Sequence, residues 1–236
     1  MIETEVEGDV RTVRLARPER RNALTPAALD DLAAAIDDAD ETVVYLTGAG
    51  SAFCAGADLD AVAELDDENQ ARDFARRGQR VARTIETAES AVVAGIDGAA
   101  RGGGVELALA CDVRVATPAA TFAEPGVTFG LFGAWGGTVR LPEIVGRGDA
   151  MDLTLSGRAL DADDALRTGL VSRVIEEPRT VAAEIAGNDA AAVRAVKRRL
   201  RDDADREARE RREADAFAKL VVERADDLRA RRREEE

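Results

Sequence analysis

Residues 101–113 read RGGGVELALACDV, and much of the architecture can be worked out from this stretch. It follows a predicted strand at residues 91–97, and after its three glycines it becomes a predicted helix at residues 105–110. Amides at a helix N-terminus carry partial positive charge and favour a nearby anion. Glu106 lies one helical turn after Gly103, so we expect its carboxylate to face the same pocket. The alternative is that the glycines only permit close packing and Glu106 merely favours the helix start.

A second strand, turn and helix precedes this one. Residues 52–60 read AFCAGADLD and follow a predicted strand at residues 42–47. Small residues at 55–57 let a ligand approach the main chain, and Asp58 is expected to cap a helix. Taken alone, this segment could equally be a tight strand-to-helix connection that binds no ligand. Two such units together are more telling, because an oxyanion pocket needs two convergent N–H donors.

The turn Gly48-Ala49-Gly50 also resembles the start of a dinucleotide-binding loop. That interpretation fails because Phe53 occupies the third glycine position of G-x-G-x-x-G. The strand before the turn also follows a helix instead of opening the fold.

Short β-rich runs alternate with Ala-rich helical stretches along most of the chain, which predicts an α/β fold. Thr25 and Pro26 predict a helix start, with Thr25 as N-cap, leading into a helix at residues 27–39. From about Asn188 the strand signal ends, and apolar residues take amphipathic helical spacing. We therefore predict a core at residues 1–187 and a C-terminal helical region at residues 188–236. The other predicted strands are residues 10–16, 112–116 and 170–175.

The composition excludes several kinds of chemistry. The chain has no histidine, which removes Ser-His-Asp and Cys-His nucleophile systems and most zinc sites. Cys54 and Cys111 match no metal-ligand spacing, and we expect buried, reduced thiols. No metal is predicted.

The charge balance bears on partners and solvent. The formal net charge is -14, and Lys197 and Lys219 are the only lysines. This pattern predicts a halophilic protein, whose acidic surface keeps it in solution at high salt; an ordinary acidic cytosolic protein is the alternative. A nucleic-acid partner is disfavoured because phosphate binding needs a basic face. No run approaches the roughly 18 apolar residues of a membrane span, so we predict a cytoplasmic protein with no membrane partner.

Five motifs carry a family resemblance: AFCAGADL, DGAARGGGVELALACDVRVA, GAWGGTVRLPEIVG, LSGRALDADDAL and GLVSRVI. In order and spacing they resemble the enoyl-CoA hydratase/isomerase (crotonase) superfamily over residues 17–175. The resemblance implies a crotonase-like spiral of ββα units with a C-terminal helical region, assembled as a homotrimer or homohexamer. It implies an acyl-CoA substrate from fatty acid metabolism and no separate cofactor, since coenzyme A is part of the substrate.

The resemblance also implies a set of site residues. The backbone N–H groups of Ala57 and Gly103 would form the oxyanion hole, with Glu106 as the acid/base. Trp135, the only tryptophan, packs against either the acyl pocket or the core, and the core is favoured. The segment at residues 21–24 would border the CoA nucleotide. The expected substrate-binding residues are Ala23, Ala55, Gly56, Asp58, Leu59, Asp60, Gly102, Gly126 and Trp135.

One position departs from the family pattern. Hydratases of this family use a second glutamate in an F-x-x-P-E motif, and Gly126 stands at its position here. Glu124 lies two residues upstream, and its carboxylate could substitute if that loop is rearranged. Because it starts from a different backbone point, we expect a single catalytic carboxylate. Syn-hydration requires activation of water at C3 and delivery of a proton to C2, and a single carboxylate is poorly suited to perform both. An isomerase, a decarboxylase and a non-catalytic acyl-CoA binder therefore stay open beside a hydratase.

Overall fold

The computed structural model describes residues 1–234, apart from the side chains of Leu228, Arg231 and Glu234. The chain divides into two compact units, one from Met1 to Ala186 and one that begins at Gly187. The last two residues of the predicted C-terminal region, 235 and 236, lie outside the described part.

The described residues form strands and helices in the following order. The strands are β1 (Ile2–Glu7), β2 (Val10–Leu15), β3 (Val43–Gly48), β4 (Ala52–Cys54), β5 (Ala91–Ile96), β6 (Ala99–Arg101), β7 (Val113–Ala116), β8 (Thr121–Ala123), β9 (Ala159–Asp161) and β10 (Arg173–Val174). The helices of the first unit are α1 (Pro26–Asp37), α2 (Leu59–Ala63), α3 (Glu68–Thr87), α4 (Gly103–Ala110), α5 (Gly137–Ser156), α6 (Ala162–Arg167) and α7 (Arg179–Ala186). The second unit contains α8 (Ala190–Leu200), α9 (Arg206–Glu223) and α10 (Ala225–Glu234).

The larger sheet has the strand order β1-β2-β3-β5-β7-β10. From β2 to β10 neighbouring strands are parallel, and every residue of β5 is buried. This fits the near-continuous apolar sequences of these strands, because parallel strands are usually covered on both faces. The predicted strands all occur, with ends shifted by a residue or two, although the last shrinks to Arg173–Val174.

The sequence did not reveal β1. It pairs antiparallel with β2 at the edge of the sheet, and five of its six residues are exposed. An edge strand needs only one paired side, so its Glu and Thr residues can face water and hide the strand signal.

The smaller sheet has the order β4-β6-β8-β9, with β4, β6 and β8 parallel. Each of these three short strands follows a long strand of the larger sheet, namely β3, β5 and β7. Helices α2 and α4 then follow β4 and β6, which gives ββα units. Because carboxyl ends of parallel strands meet at one edge, the residues after Cys54, Arg101 and Ala123 come together. That edge carries the candidate site.

Helix α1 begins as predicted. The Thr25 side chain accepts a hydrogen bond from Ala28 N at 3.3 Å, and Pro26 occupies the first helical position. Leu29, Leu32 and Ile36 on its inner face are almost fully buried, and with Phe53 they belong to the hydrophobic core. Among residues 1–234, no helix has the length and apolar character to cross a bilayer.

Candidate functional site

A cavity of about 310 Å³ opens at the carboxyl edge of the smaller sheet. The turns after β4 and β6 contribute Ala55, Ala57, Gly102 and Gly103 to its wall, and the residue after β8 contributes Glu124. Glu106 enters from the first turn of α4. The two predicted segments therefore meet in one cavity, joined by the segment of Glu124 and Gly126.

The first turn holds Ala57 with its amide unpaired. Leu24 N donates to Gly56 O at 2.8 Å and Asp58 N donates to Leu24 O at 3.0 Å, so the bridge to Leu24 uses the neighbours of Ala57. No described atom accepts a hydrogen bond from Ala57 N. Ala57 is half-buried and lines the cavity, so its amide is free to donate to a ligand acceptor there.

The second turn presents Gly103 in the same way. Gly102 has φ 49° and ψ -120°, a conformation open to glycine, and its N–H donates to Ala123 O at 2.9 Å. Gly103 is the first residue of α4, so its N–H has no partner within the helix. No acceptor for it occurs elsewhere in the described chain.

The two turns pack directly against each other at Gly56. A Cβ atom added there would lie 2.7 Å from Arg101 O and 2.8 Å from Gly103 N. Gly56 also has φ +86°, which side-chain-bearing residues rarely adopt. Glycine at this position therefore brings the Ala57 segment within van der Waals distance of the Gly103 amide.

Glu106 is buried, with 1% of its surface exposed. Its Oε1 accepts hydrogen bonds from Trp135 N at 2.8 Å and from Gly137 N at 2.6 Å. A side chain at Gly133 or Gly137 would come within 2.7 to 3.2 Å of the carboxylate, so these glycines leave room for it. Burial raises the pKa of Glu106, and the hydrogen bonds from Gly137 and Trp135 oppose that rise. The carboxylate thus has a fixed orientation inside the cavity wall.

Glu124 lines the same cavity and brings a second carboxyl to its wall. It is 4% exposed, and its Oε1 has no hydrogen-bond partner among the described residues. Burial, reinforced by repulsion from Glu106, raises the pKa of Glu124 to about 8. Glu124 therefore carries a proton at neutral pH, whereas Glu106, which has two N–H donors, is the better site for the negative charge.

Position 126 has no space for a side chain. A Cβ atom on Gly126 would lie 2.8 Å from Phe132 Cα and 2.9 Å from Leu131 O. The backbone of residues 131–132 thus occupies the direction in which a glutamate at 126 would leave the chain. The second carboxylate of the cavity comes instead from Glu124, at the end of β8.

The buried carboxyl of Glu124 predicts a pH dependence of stability. Because its pKa rises from an ordinary 4.5 to about 8 on folding, the folded chain binds this proton more tightly than the unfolded chain. The contribution of the Glu124 proton to the free energy of unfolding is therefore fully present below about pH 4.5. It is lost as the pH rises towards 8, by up to ~1.4 kcal/mol per pH unit. We expect Glu124→Gln to remove this loss. Urea unfolding at pH 5 to 8, compared with wild type, measures it.

The control for that prediction is Glu176→Gln, which removes an exposed carboxylate outside the cavity wall. It should follow the wild-type pH dependence. A free-energy difference between Glu124→Gln and wild type that stays constant from pH 5 to 8 would contradict the burial of an unpaired carboxyl.

Most of the remaining cavity wall is apolar. Trp135 is 3% exposed and its ring packs on Gly103, Gly78 and Phe74, with ring centroids 6.0 Å apart in the last pair. It therefore belongs to both the core and the cavity wall, which the sequence analysis treated as alternatives. The other large apolar residues of the wall are Leu59, Val62, Leu65, Phe74, Phe129, Leu131 and Phe132.

Five of the nine residues expected to bind substrate line the cavity: Ala55, Leu59, Gly102, Gly126 and Trp135. The other four have different surroundings. Ala23 is buried, and Gly56 supports the contact between the two turns. Asp58 caps α2 as predicted, and its buried carboxylate pairs with Arg17. The largest cause of the lowered pKa of Asp58 is the Arg17 hydrogen bond. Asp60 is exposed and pairs with Arg20.

Asn22 has a structural role that the sequence did not show. It is 1% exposed with φ 58°, and its Nδ2 donates to Ala49 O at 2.9 Å and to Ala52 O at 2.7 Å. These bonds tie the segment before α1 to the turn between β3 and β4. The same segment holds the Ala57 turn through Leu24.

The two cysteines are free and buried, as predicted. Burial raises the pKa of the Cys54 thiol to about 12, so it stays protonated. Within residues 1–234, no group of three or more acidic or cysteine side chains is placed to hold a metal ion.

Comparisons with known proteins identify the family of the chain. The family model described as enoyl-CoA hydratase/isomerase matches residues 5–229. The short-chain-enoyl-CoA hydratase of Clostridium acetobutylicum is 40% identical over 189 residues, covering 77% of this chain and 72% of the relative. The crotonyl-CoA hydratase of Syntrophomonas wolfei is 37% identical over 204 residues, covering 82% and 78%.

Solved structures agree as well. The enoyl-CoA hydratase of Bacillus anthracis superposes with a TM-score of 0.91 at 33% identity, covering 99% of this chain and 96% of that one. The enoyl-CoA hydratase of Thermoplasma volcanium superposes with a TM-score of 0.90 at 32% identity, covering 97% and 95%. The chain belongs to the enoyl-CoA hydratase/isomerase family. The predicted α/β crotonase-like fold and the predicted class, an enoyl-CoA hydratase/isomerase-like lyase, are confirmed.

Proposed function

We propose that this enzyme acts on an acyl-CoA thioester through an enolate whose oxygen accepts hydrogen bonds from Ala57 N and Gly103 N. The observation that carries the proposal is a pair of unpartnered amides on two turns in direct contact, in the wall of one apolar cavity. Glu106, whose carboxylate is buried beside them, serves as the acid/base of the reaction.

The energetics favour this use of the two amides. Fixed N–H donors need no reorganisation when negative charge develops, and they act more strongly where water is excluded. Removal of one such donor typically lowers turnover by about 10²- to 10³-fold. The N-terminus of α4 adds a partial positive charge on the side of Gly103.

The cavity wall supports an acyl chain as the buried part of the substrate. Apart from Glu106 and Glu124, its side chains carry no ionisable group, and large apolar residues from α2, α3 and residues 129–135 surround the space. The names of two relatives, short-chain-enoyl-CoA hydratase and crotonyl-CoA hydratase, favour a short 2-enoyl chain. The CoA nucleotide would lie along residues 21–24, where Arg21 is exposed. The scheme needs no cofactor, since coenzyme A arrives with the substrate.

The proposal also covers the salt conditions, the oligomeric state and the cellular location of the enzyme. The net charge of -14 supports function at high salt, and the cytoplasm stays the predicted location, without nucleic-acid or membrane partners. A homotrimer or homohexamer stays the predicted assembly. Large exposed side chains on α5 offer apolar surface that such an assembly would bury: Val139, Met151 and Leu155.

The test is incubation of the enzyme with a panel of saturated, 2-enoyl, 3-enoyl and malonyl-type CoA thioesters in deuterated, high-salt buffer, followed by mass spectrometry. Deuterium at C2 would show enolate formation, and the product mass would identify hydration, isomerisation or decarboxylation. Binding of acyl-CoA without exchange or product across the panel would instead support a non-catalytic acyl-CoA binder. Failure to bind any thioester would overturn the proposal.

A further inference from the structure

Two observations on the cavity wall are not accounted for by a mechanism with one carboxylate. A buried carboxyl, Glu124, has an oxygen without a partner, although a buried polar group of this kind costs stability. The position two residues later, Gly126, has its side-chain direction filled by the backbone of residues 131–132. The backbone of residues 131–132 thus excludes a carboxylate from position 126, while one is buried at position 124. Burial of an unpartnered carboxyl lowers stability, so a purely structural role does not explain Glu124.

The strand register brings Glu124 next to the proposed oxyanion hole. Residues Arg101 and Ala123 are paired in β6 and β8, and Gly102 N donates to Ala123 O at 2.9 Å. The chain continues from β6 through Gly102 into Gly103, the first residue of α4, and from β8 into Glu124. Gly103 and Glu124 both line the cavity, so the strand pairing places the Glu124 carboxyl and the Gly103 amide in the same wall.

We propose that Glu124 is the second catalytic carboxylate of this enzyme, and that it works as the acid that delivers a proton to C2 of the substrate. The proposal rests on the function proposed above and specifies its reaction as addition of water to a 2-enoyl-CoA thioester. Glu106, oriented by Trp135 N and Gly137 N, is then the base that activates the water.

The proton balance of the step is closed. As the water oxygen bonds to C3, one of its O–H bonds breaks and that proton passes to Glu106, while the C2=C3 electrons move into the enolate. The thioester carbonyl re-forms as C2 takes the proton from Glu124, and Glu124 becomes a carboxylate. Glu106 is then protonated and Glu124 ionised, and exchange of one proton each with solvent water restores the starting state. The reverse sequence dehydrates a 3-hydroxyacyl thioester.

The assignment of the two roles follows from the surroundings of each carboxyl. Glu106 has two N–H donors and feels Arg140 from α5, which favour its negative charge. Glu124 faces Glu106 from α4, and no other titratable side chain lines the cavity in the described chain. Two carboxyls whose surroundings push their proton affinities apart are suited to act as acid and base.

The test compares Glu124→Gln and Glu106→Gln in two assays on the full-length enzyme in high-salt buffer. The first is hydration of trans-2-butenoyl-CoA. The second is deuterium exchange at C2 of butanoyl-CoA at about pH 8, where the ionised fraction of Glu124 can take the C2 proton and return a deuteron. We expect Glu124→Gln to lose both, each by about 10²- to 10⁴-fold. We expect Glu106→Gln to lose hydration but to keep exchange. Butanoyl-CoA affinity should stay within about threefold in both variants, a change of less than ~0.7 kcal/mol.

The pH dependence of hydration gives an independent result. Hydration should fall as the pH rises through about 8, because the acid form of Glu124 is lost, and Glu124→Gln should lack this decline. Glu176→Gln, an exposed control, should match wild type in every assay.

The contradicting results are distinct from those for the function proposed above. If Glu106→Gln loses both hydration and exchange while Glu124→Gln stays within about threefold of wild type, Glu124 has no catalytic role and the enolate mechanism stands. If wild type exchanges the C2 proton but hydrates no 2-enoyl thioester, this inference fails alone. If wild type neither binds nor exchanges, both proposals fail.

Discussion

Replacement of Glu106 by Gln is expected to lower turnover of trans-2-butenoyl-CoA by about 10²- to 10⁴-fold, because it removes the base that activates water. The fold should survive. The Gln side chain has the same shape, and its Oε1 can still accept from Trp135 N and Gly137 N, which now bond Glu106. Loss of a buried carboxyl with a raised pKa also removes a source of instability at neutral pH.

Three measurements check this prediction: the steady-state rate, the dissociation constant of butanoyl-CoA and the midpoint of thermal unfolding. Binding should change by less than about threefold, because in the proposed mechanism the thioester oxygen accepts from the backbone amides and not from Glu106. Glu176→Gln controls for the loss of one negative charge. A rate within a factor of three of wild type would remove Glu106 from the mechanism.

The second large effect is expected from Gly56→Ala. The new Cβ atom would lie 2.7 Å from Arg101 O and 2.8 Å from Gly103 N, so the two turns must move apart. At φ +86° the backbone would also be strained, and together we expect a loss of roughly 1 to 3 kcal/mol in the free energy of unfolding. Displacement of one amide from the carbonyl oxygen should lower turnover by about 10²- to 10³-fold.

The matched control is Gly146→Ala. Gly146 has φ +80°, close to that of Gly56, but a Cβ atom there meets nothing within 4 Å. Its substitution should therefore cost stability through the backbone alone and leave turnover unchanged. Equal loss of activity in both variants would show that strain, and not the approach of the two turns, explains the effect of Gly56→Ala.

The sequence predicted the parts of the site that lie in regular local patterns. The glycines at the start of α4 and the small residues after β4 each mark a turn that opens a helix, and Glu106 follows at helical spacing. Strand and helix signals are local, so most elements of the larger sheet and the cap at Thr25 were also predicted. The short strands of the smaller sheet were not, since three residues carry too little pattern to recognise.

The place of Glu124 in the cavity wall could not be predicted, because it depends on distant packing. The loop at residues 130–133 folds back over Gly126 and fills the space of its missing side chain. Neither residue alone indicates this contact, and a motif comparison points to position 126. For Asp58, the sequence suggested a place in the substrate site that the structure does not support. Its place beside the small residues suggested substrate contact, whereas the structure pairs it with Arg17, 41 positions earlier.

The most direct test of the oxyanion hole is the infrared stretching frequency of the thioester carbonyl of butanoyl-CoA, labelled with carbon-13 at C1, bound to the wild-type enzyme. Hydrogen bonds from Ala57 N and Gly103 N should polarise the carbonyl and move its band to lower wavenumber than for the same thioester in water. Gly56→Ala should reduce that shift. A bound carbonyl band at the position found in water, with binding demonstrated in the same sample, would contradict the claim that the two amides hold the thioester oxygen.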